Sequence, residues 1–215
     1  MKIMIAIPCM DTVPVPFVES LMYMDKPEGT SVCFKPNSLV YDSRNLLSLT
    51  AMENNFDYVM WLDSDMVVPH DIIPKLLSDA EKFDAHMVTG LYVRRTIPTA
   101  PVLFTRVAPP EITDGHVEKK LRDCTEYPDN RMFRVEGCGF GCVLTSVPLL
   151  REVWDKFGPA FAPYTWAGED VSFCYRVKQL GYTLWCDTGV KCGHVGTFTY
   201  TDKLLNPGGD AGEKH

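Results

Sequence analysis

Two carboxylates, Asp63 and Asp65, follow directly after the apolar run 58–62. A β-branched, aromatic and apolar run of this length predicts a buried strand, and open α/β sheets bind ligands at the carboxyl ends of their strands. Two like charges one residue apart raise the cost of ionising both groups. A hard divalent cation that bridges carboxylate and phosphate oxygens removes that cost. The pair, with Ser64 between the acids, therefore predicts a metal–phosphate site; a simple turn after the strand is the alternative.

A second acidic pair, Glu169 and Asp170, opens a predicted helix after Gly168. Acidic residues in a first helical turn are favourable through the helix dipole alone, so they do not need a catalytic reason. Two aromatic residues, Tyr164 and Trp166, stand just upstream. An aromatic loop that leads to a carboxylate pair suits a sugar-binding floor next to a general base.

His194 lies between two glycines near the end of the chain. A lone histidine is more often a hydrogen-bonded structural residue than a ligand. Flanking glycines, however, let the backbone approach a ligand closely. An imidazole that joins carboxylates favours Mn²⁺ over Ca²⁺ in such a site.

Alternating strand and helix patterns in the first half of the chain predict the elements that position these residues. Strands are predicted at 2–7, 31–34, 58–62 and 87–93, and helices at 16–24, from Asp42 or Ser43 to about 53, and at 71–82. This βαβαβ order predicts a single-domain, three-layer α/β/α sandwich with a mainly parallel, mixed sheet.

The second half of the chain is less regular. Strands are predicted at 102–105, 132–135, 142–145 and 183–186, and helices at 148–157 and 168–180. Residues 114–130 are polar and suggest a surface excursion, whereas 206–215 are Pro/Gly-rich and suggest a flexible tail or lid. We expect one domain over 1–205, made of two halves, 1–95 and 96–205.

The overall charge narrows the class of partner. The chain has 215 residues and a net charge of −7, which argues against nucleic acid or an anionic membrane as the partner. An anionic ligand then needs local help from a metal or from placed Arg and Lys side chains. The first apolar run is too short for a signal peptide, and no later run is long enough for a membrane span, so we expect a cytoplasmic protein.

Eight cysteines raise the question of disulfides or zinc. Several lie inside apolar, strand-like runs of a chain without a secretory signal, so reduced, buried thiols are expected. No Cys-x-x-Cys pair is present, which disfavours structural zinc.

The order of these features along the chain resembles that of the GT-A family of nucleotide-sugar glycosyltransferases. The features are the strand followed by Asp-x-Asp, the glycine-rich segment 137–141, Glu169-Asp170 at a helix start and the late His194. The closest resemblance is to its compact, family-2-like members, and it covers about residues 2–200. The resemblance implies a glycosyltransferase of the hexosyltransferase type with a nucleoside-diphosphate sugar as donor. The implied acceptor is a hydroxyl group of a glycan, a lipid-linked molecule or a protein. The Gln-x-x-Arg-Trp segment of larger processive synthases is missing, which disfavours a processive polysaccharide synthase.

The resemblance also assigns roles on the donor side. Asp63 would contact the ribose or the metal, and Asp65 would ligate Mn²⁺ or Mg²⁺, with Mn²⁺ favoured. His194 would complete the metal shell. Other implied donor-side residues border the nucleotide base or support the nucleotide: Pro8, Asp11, Arg44, Asn45 and Ser64. Thr89, Gly90 and the segment 137–140 with Gly139 would shape the donor and acceptor pockets. The loop after Pro8 is richer in Pro and sulfur than is usual in the family, so the resemblance does not identify the nucleotide base of the donor.

On the acceptor side, the resemblance makes Asp170 the general base of an inverting transfer and places Glu169 against the acceptor or donor sugar. Three alternatives remain. The first is a retaining GT-A enzyme. The second is a haloacid-dehalogenase-like phosphatase with Asp63 as nucleophile and Asp65 as acid/base. The third is a non-catalytic module that binds a nucleotide or glycan.

Overall fold

The apolar runs of the first half form the predicted alternation of strands and helices. In the computed structural model, which describes residues 1–96, 98–113, 116–118 and 120–196, this half comprises β1 (Ile3–Cys9), α1 (Val15–Tyr23), β2 (Thr30–Pro36), α2 (Val40–Glu53), β3 (Tyr58–Leu62), β4 (Met66–Val67), α3 (Ile72–Phe83) and β5 (Met87–Leu91). The strand at 58–62 has the predicted bounds.

The second half adds shorter strands and two helices. They are β6 (Leu103–Arg106), β7 (Glu111–Thr113), β8 (His116–Glu118), β9 (Arg122–Asp123), β10 (Met132–Val135), β11 (Gly137–Cys138), β12 (Cys142–Ser146), α4 (Val147–Phe157), α5 (Glu169–Gln179), β13 (Leu184–Lys191) and β14 (Gly193–His194). The predicted tail 206–215 lies outside the described residues.

A mixed sheet of seven strands organises the fold, in the order β10-β13-β5-β12-β3-β1-β2. Strand β1 is parallel to both β2 and β3. Strand β12 is antiparallel to β3 and to β5, so β5 points the same way as β3. Strand β13 is parallel to β5, and β10 is antiparallel to β13. The chain is therefore of the α/β class, and the carboxyl ends of β1, β3, β5 and β13 share one edge of the sheet.

Both faces of the central strands are buried, which explains why the strands read as continuous apolar runs. In β3, Val59 and Trp61 pack in one apolar cluster, whereas Met60 and Leu62 pack in a second. Side chains of α2, α4 and α5 belong to the first cluster, and side chains of α1 and α3 belong to the second. The period-2 alternation of β3 therefore divides the helices into two groups.

Two local predictions are corrected. Helix α2 begins at Val40 with Leu39 as its N-cap, so Asp42 and Ser43 lie in the helix and do not cap it. The Ser43 hydroxyl instead hydrogen-bonds the Ser38 hydroxyl at 2.6 Å. The second correction is that β13 runs on to Lys191, past the predicted end at 186, because it continues along β5 across an irregularity in register.

The predictions about cysteines and membrane spans meet two observations. All eight cysteines are free in the structure; six of them are buried, and Cys9 and Cys33 are partly exposed. Within the described ranges, no helix combines the length and the apolar character required to span a bilayer.

Candidate functional site

The end of β3 turns sharply at Asp63, at the carboxyl edge of the sheet. The Asp63 amide donates to the Gly141 carbonyl at 3.1 Å, and the Asp63 carbonyl accepts from the Met66 amide at 3.1 Å. A cavity of about 220 Å³ lies against this turn. Its lining brings together four of the predicted residues and five others: Pro8, Asp63, Ser64 and Asp65, with Cys9, Met10, Ser38, Val40 and Ser43. Asp11 is exposed in the loop after β1.

Asp65 and His194 meet at this edge although they are far apart in the chain. Their closest atoms, Oδ2 of Asp65 and Nε2 of His194, are 3.5 Å apart. The short β14–β4 ladder brings them together by pairing His194 with Met66, and the Val195 amide donates to the Asp65 carbonyl at 2.7 Å. His194 Nδ1 lies 2.9 Å from the Val93 carbonyl, so this nitrogen carries a proton and Nε2 faces the carboxylate.

Asp65 and His194 each stabilise the charged form of the other. Burial raises the pKa of Asp65, but the hydrogen bond and charge of His194, together with the charge of Arg95, hold it below its ordinary value. The hydrogen bond to Asp65 raises the pKa of His194, and burial opposes this rise. Arg95 Nη1 lies 2.8 Å from the same oxygen, Asp65 Oδ2.

These residues fit a divalent cation with two protein ligands. Carboxylate oxygen and imidazole nitrogen suit Mn²⁺ or Mg²⁺, and such sites take further ligands from substrate phosphates and water. In the part of the chain that the structure describes, no group of three or more His, Cys, Asp or Glu side chains is arranged to hold a metal ion. The predicted role of Asp63 as a third ligand stays a prediction.

Asp63 is engaged by a buried arginine. Arg44, only 3% exposed, donates from Nη2 to Asp63 Oδ1 at 2.7 Å and from Nη1 to Glu169 Oε1. Its guanidinium carbon lies 5.4 Å from the ring centroid of Phe140 and 5.9 Å from that of Phe161. Burial raises the pKa of Asp63, the charge and hydrogen bond of Arg44 lower it, and the net direction is upward. Arg44 thus ties α2 to the end of β3 and to the start of α5.

Asn45 also joins the two halves of the chain. Its Oδ1 accepts a hydrogen bond from the Phe161 amide at 2.8 Å. The resemblance to GT-A enzymes implies a donor-side role for Asn45. The structure places its side chain on the loop before α5, where it holds that loop to α2.

Glu169 and Asp170 form the first turn of α5, with Gly168 as the N-cap. Asp170 Oδ1 accepts from the Val171 amide at 2.7 Å. Burial raises the pKa of Asp170 to about 6, and the charges of Glu169 and Asp63 add to the rise, whereas the Val171 amide and Arg44 oppose it. The carboxylate is therefore ionised at neutral pH and more basic than an exposed aspartate.

The aromatic residues upstream of this pair pack together against α5. The rings of Tyr164 and Trp166 are stacked at 5.5 Å, and Tyr175 meets both edge-on. The Tyr164 amide donates to the Ser172 hydroxyl at 2.9 Å, which fastens the loop to the helix. The aromatic residues predicted as a sugar-binding floor therefore form a partly buried group just upstream of the acidic pair.

Gly139 is a packing position behind the site. A Cβ at Gly139 would lie 2.1 Å from the Tyr92 hydroxyl and 2.7 Å from Val102 Cγ1. The Tyr92 hydroxyl accepts from the Gly141 amide at 3.1 Å, and the Tyr92 ring meets His194 edge-on at 5.7 Å. Gly139 therefore lets Tyr92 reach between the Asp63 turn and His194.

Sequence reasoning missed two contributors, Tyr92 and Arg95. Both follow β5, whose carboxyl end shares the edge with β3. The signal available for Arg95 was the pair of cations, Arg94 and Arg95, just past a strand in an acidic chain. For Tyr92 the sequence carries no comparable signal, because its position depends on the missing Cβ of Gly139.

Comparison with known proteins addresses the fold. No protein-family model matches the chain, and no curated protein matches it. The solved structure of A197 from STIV matches with a TM-score of 0.66 at 19% identity, covering 92% of this chain and 87% of that one. The structure of GalNAc-T7 with UDP, GalNAc and Mn²⁺ matches with a TM-score of 0.58 at 11% identity. That match covers 91% of this chain and 44% of the GalNAc-T7 chain, so this chain spans less than half the length of that protein. Identities this low show the fold alone, and the fold of this chain is GT-A-like.

Proposed function

We propose that this protein is a metal-dependent glycosyltransferase that moves a sugar from a nucleoside-diphosphate sugar to a hydroxyl acceptor. The observation that carries the proposal is the meeting of Asp65 Oδ2 and His194 Nε2 at 3.5 Å, beside the cavity at the carboxyl edge of the sheet. The GalNAc-T7 structure, which shares the fold, contains UDP, GalNAc and Mn²⁺, and this supports a donor and a metal of the same kind here.

In this proposal Asp65 and His194 hold the metal, and Asp63 is the third candidate ligand. Mn²⁺ is favoured over Mg²⁺ because one of the two ligands is an imidazole. When bound, the cation neutralises the charge that develops on the leaving diphosphate. Pro8 and Ser64, which line the same cavity, border the nucleotide. Because the chain carries a net charge of −7, donor binding depends on this local positive charge.

Asp170 is the proposed general base. Its raised pKa suits it to accept the proton of the acceptor hydroxyl at neutral pH. In this proposal Glu169, which pairs with Arg44, contacts the acceptor or donor sugar. A base that acts from the face opposite the diphosphate inverts the anomeric centre, so we propose inversion. The alternative, a retaining enzyme, predicts a product of the donor's own anomeric configuration.

The proposal also assigns a function to each half of the chain. Residues 1–95 supply Arg44, Asp63 and Asp65 and form the nucleotide-binding half, and 96–205 supply Glu169, Asp170 and His194. The separation of helices into two apolar clusters supports a three-layer α/β/α arrangement. Arg44 and Asn45 of the first half contact Glu169 and Phe161 of the second, which supports one domain over 1–205.

Ligand-dependent thermal stability tests the core of the proposal. Thermal unfolding is measured with UDP, GDP, TDP and CMP, each with and without Mn²⁺. We expect one nucleoside diphosphate to raise Tm only when Mn²⁺ is present, because a ligand at about 100 times its Kd stabilises the native state by about 2.7 kcal/mol. His194→Ala should abolish the shift. His70→Ala removes a histidine that pairs with Asp25 on the surface, and it should leave the shift intact.

Each alternative has its own outcome in this test. Stabilisation by none of the nucleotides, together with phosphatase turnover, would replace the proposal by the phosphatase alternative with Asp63 as nucleophile. Metal-dependent binding without transfer to any acceptor would favour a non-catalytic module. Retention of the anomeric configuration in the product, measured by NMR, would remove Asp170 from the role of general base.

A further inference from the structure

Arg95 shares its partner oxygen with His194. Its Nη1 lies 2.8 Å from Asp65 Oδ2, and the same oxygen lies 3.5 Å from His194 Nε2. Arg95 Nη1 also lies 3.3 Å from the Val195 carbonyl, and a Cβ at Gly196 would lie 3.1 Å from Arg95 Cδ. The arginine therefore lies along the segment after β14 and reaches the carboxylate from that side.

A divalent cation on Asp65 and His194 would compete with this guanidinium. Both positive groups need the Asp65 carboxylate, and like charges a few ångströms apart repel strongly when they are partly shielded from water. Arg95 is 52% exposed, so its head group is free to move without disturbing buried packing. Arg44, by contrast, is buried and holds two carboxylates, Asp63 and Glu169.

A displaced Arg95 has a natural new partner in the proposed donor. Guanidinium groups bind phosphate oxygens in a bidentate manner, and these charge-assisted hydrogen bonds are strong. A diphosphate bound to a cation at Asp65 would lie next to the position that Arg95 leaves. The neighbouring Arg94 is not available in the same way, because it donates with both Nη atoms to Asp123.

We propose that Arg95 is a charge-exchange residue: it neutralises Asp65 in the metal-free protein and transfers to the diphosphate when metal and nucleotide bind. The proposal rests on the proposed function, since it takes a metal-bound nucleoside diphosphate as the ligand. As a consequence, Arg95 has opposite effects on the affinities for the metal and for the nucleotide. Arg95 weakens the binding of the metal alone and strengthens the binding of the nucleotide in the presence of metal, and metal and nucleotide therefore bind cooperatively.

Isothermal titration of the whole chain tests this without any activity assay. In Arg95→Met we expect Mn²⁺ alone to bind about tenfold more tightly, and UDP or GDP at saturating Mn²⁺ to bind about tenfold more weakly. Tenfold is the factor that corresponds to one charge-assisted hydrogen bond. Methionine keeps most of the aliphatic stem against Gly196. Arg95→Lys keeps the charge, so it should leave Mn²⁺ binding close to that of the unmodified protein.

Arg94→Met is the matched control, because it removes an arginine from the same segment without touching Asp65. It should shift neither affinity. A loss of both affinities in Arg95→Met would mean a merely structural role and would overturn the inference. Unchanged affinities in Arg95→Met, in a protein that binds nucleotide with Mn²⁺, would also overturn it and would leave the proposed function intact. An unmodified protein that binds neither ligand would remove both.

Discussion

Asp65 and Asp170 carry the same functional group, yet their surroundings move their pKa values in opposite directions. His194 and Arg95 hold the pKa of Asp65 below its ordinary value, which suits the metal-ligand role proposed for it. Burial and the neighbouring Glu169 raise the pKa of Asp170 to about 6, which suits its proposed role as general base. Carboxylates whose environments separate their pKa values in this way are typical of sites with distinct acid–base roles.

The role proposed for Asp170 leads to a prediction at the residue scale. A base with a pKa of about 6 is protonated below that pH and active above it, so kcat should fall as the pH drops through about 6. Asp170→Asn should lower kcat about 100-fold or more and remove this acid limb, while metal-dependent nucleotide binding persists. Steady-state kinetics between pH 5 and about 8, with binding by titration, measure both effects.

Asp129→Asn serves as the control for this prediction. Asp129 pairs with Lys191 on the surface, so its replacement should leave the pH profile unchanged. A kcat of Asp170→Asn that equals that of the unmodified protein would contradict the assignment of Asp170 as base.

Short elements position the functional side chains as effectively as the long ones. The two-residue strands β4 and β14 pair with each other, and this ladder sets His194 against Asp65. The turn after β11 is equally important, because Gly139 admits Tyr92, whose hydroxyl accepts from Gly141. Gly141 in turn accepts from the Asp63 amide. The backbone of this turn therefore connects the packing of Tyr92 to the position of Asp63.

A prediction at the element scale compares two glycines that flank the site. Gly139→Ala places a Cβ 2.1 Å from the Tyr92 hydroxyl, so Tyr92 must shift. We expect a loss of about 1–3 kcal/mol in the free energy of unfolding, as for other overpacked positions. Metal-dependent nucleotide binding should weaken as well, because the Tyr92 ring contacts His194.

Gly193→Ala is the comparison variant, since its Cβ would lie no closer than 3.4 Å to Val67. Its free energy of unfolding should stay within about 0.5 kcal/mol of that of the unmodified protein. Urea denaturation measures both variants. Equal stabilities for the two would contradict the packing role of Gly139.

At the scale of the whole molecule, acidic side chains crowd one another away from the site as well as in it. Asp79 of α3 lies beside Asp187 of β13, and its Oδ2 is buried without a hydrogen-bond partner. Burial raises the pKa of Asp79 to about 6, and the charge of Asp187 adds to the rise. The raised pKa of Asp79 therefore contributes to the free energy of unfolding. This contribution is complete below the ordinary pKa of 3.8 and is lost as the pH rises through about 6.

The crowded pair predicts how stability responds to substitution and to pH. Asp79→Asn should raise the free energy of unfolding at pH 7.5 by about 1 kcal/mol, a value reduced for partial exposure. The gain should shrink to about half near pH 5, because the folded state still holds the proton there while the unfolded state, with its ordinary pKa of 3.8, has largely lost it. Urea unfolding at the two pH values measures it. Asp155→Asn, on the exposed surface of α4, should change neither value. An Asp79→Asn variant less stable at pH 7.5 would contradict the repulsion.

Local patterns were enough to identify the class of fold and the bounds of some of its strands. The apolar run 58–62 forms β3 with the predicted bounds, and 132–135 forms β10 with the predicted bounds. A strand that is buried on both faces has a continuous apolar run in its sequence, and the run ends where the chain reaches the edge of the sheet. The chemistry-bearing residues Asp63 and Asp65 could therefore be placed at that edge from the sequence alone.

Only the tertiary structure decided which side chains meet. The β14–β4 ladder that brings His194 to Asp65, the placement of Arg95 on the same oxygen and the insertion of antiparallel β12 between β3 and β5 depend on pairings between distant segments. Arg44 likewise finds Glu169 across most of the chain. Residue periodicity reports the burial of a segment, but the partner of a charged side chain is selected by the packing of the whole sheet and its helices.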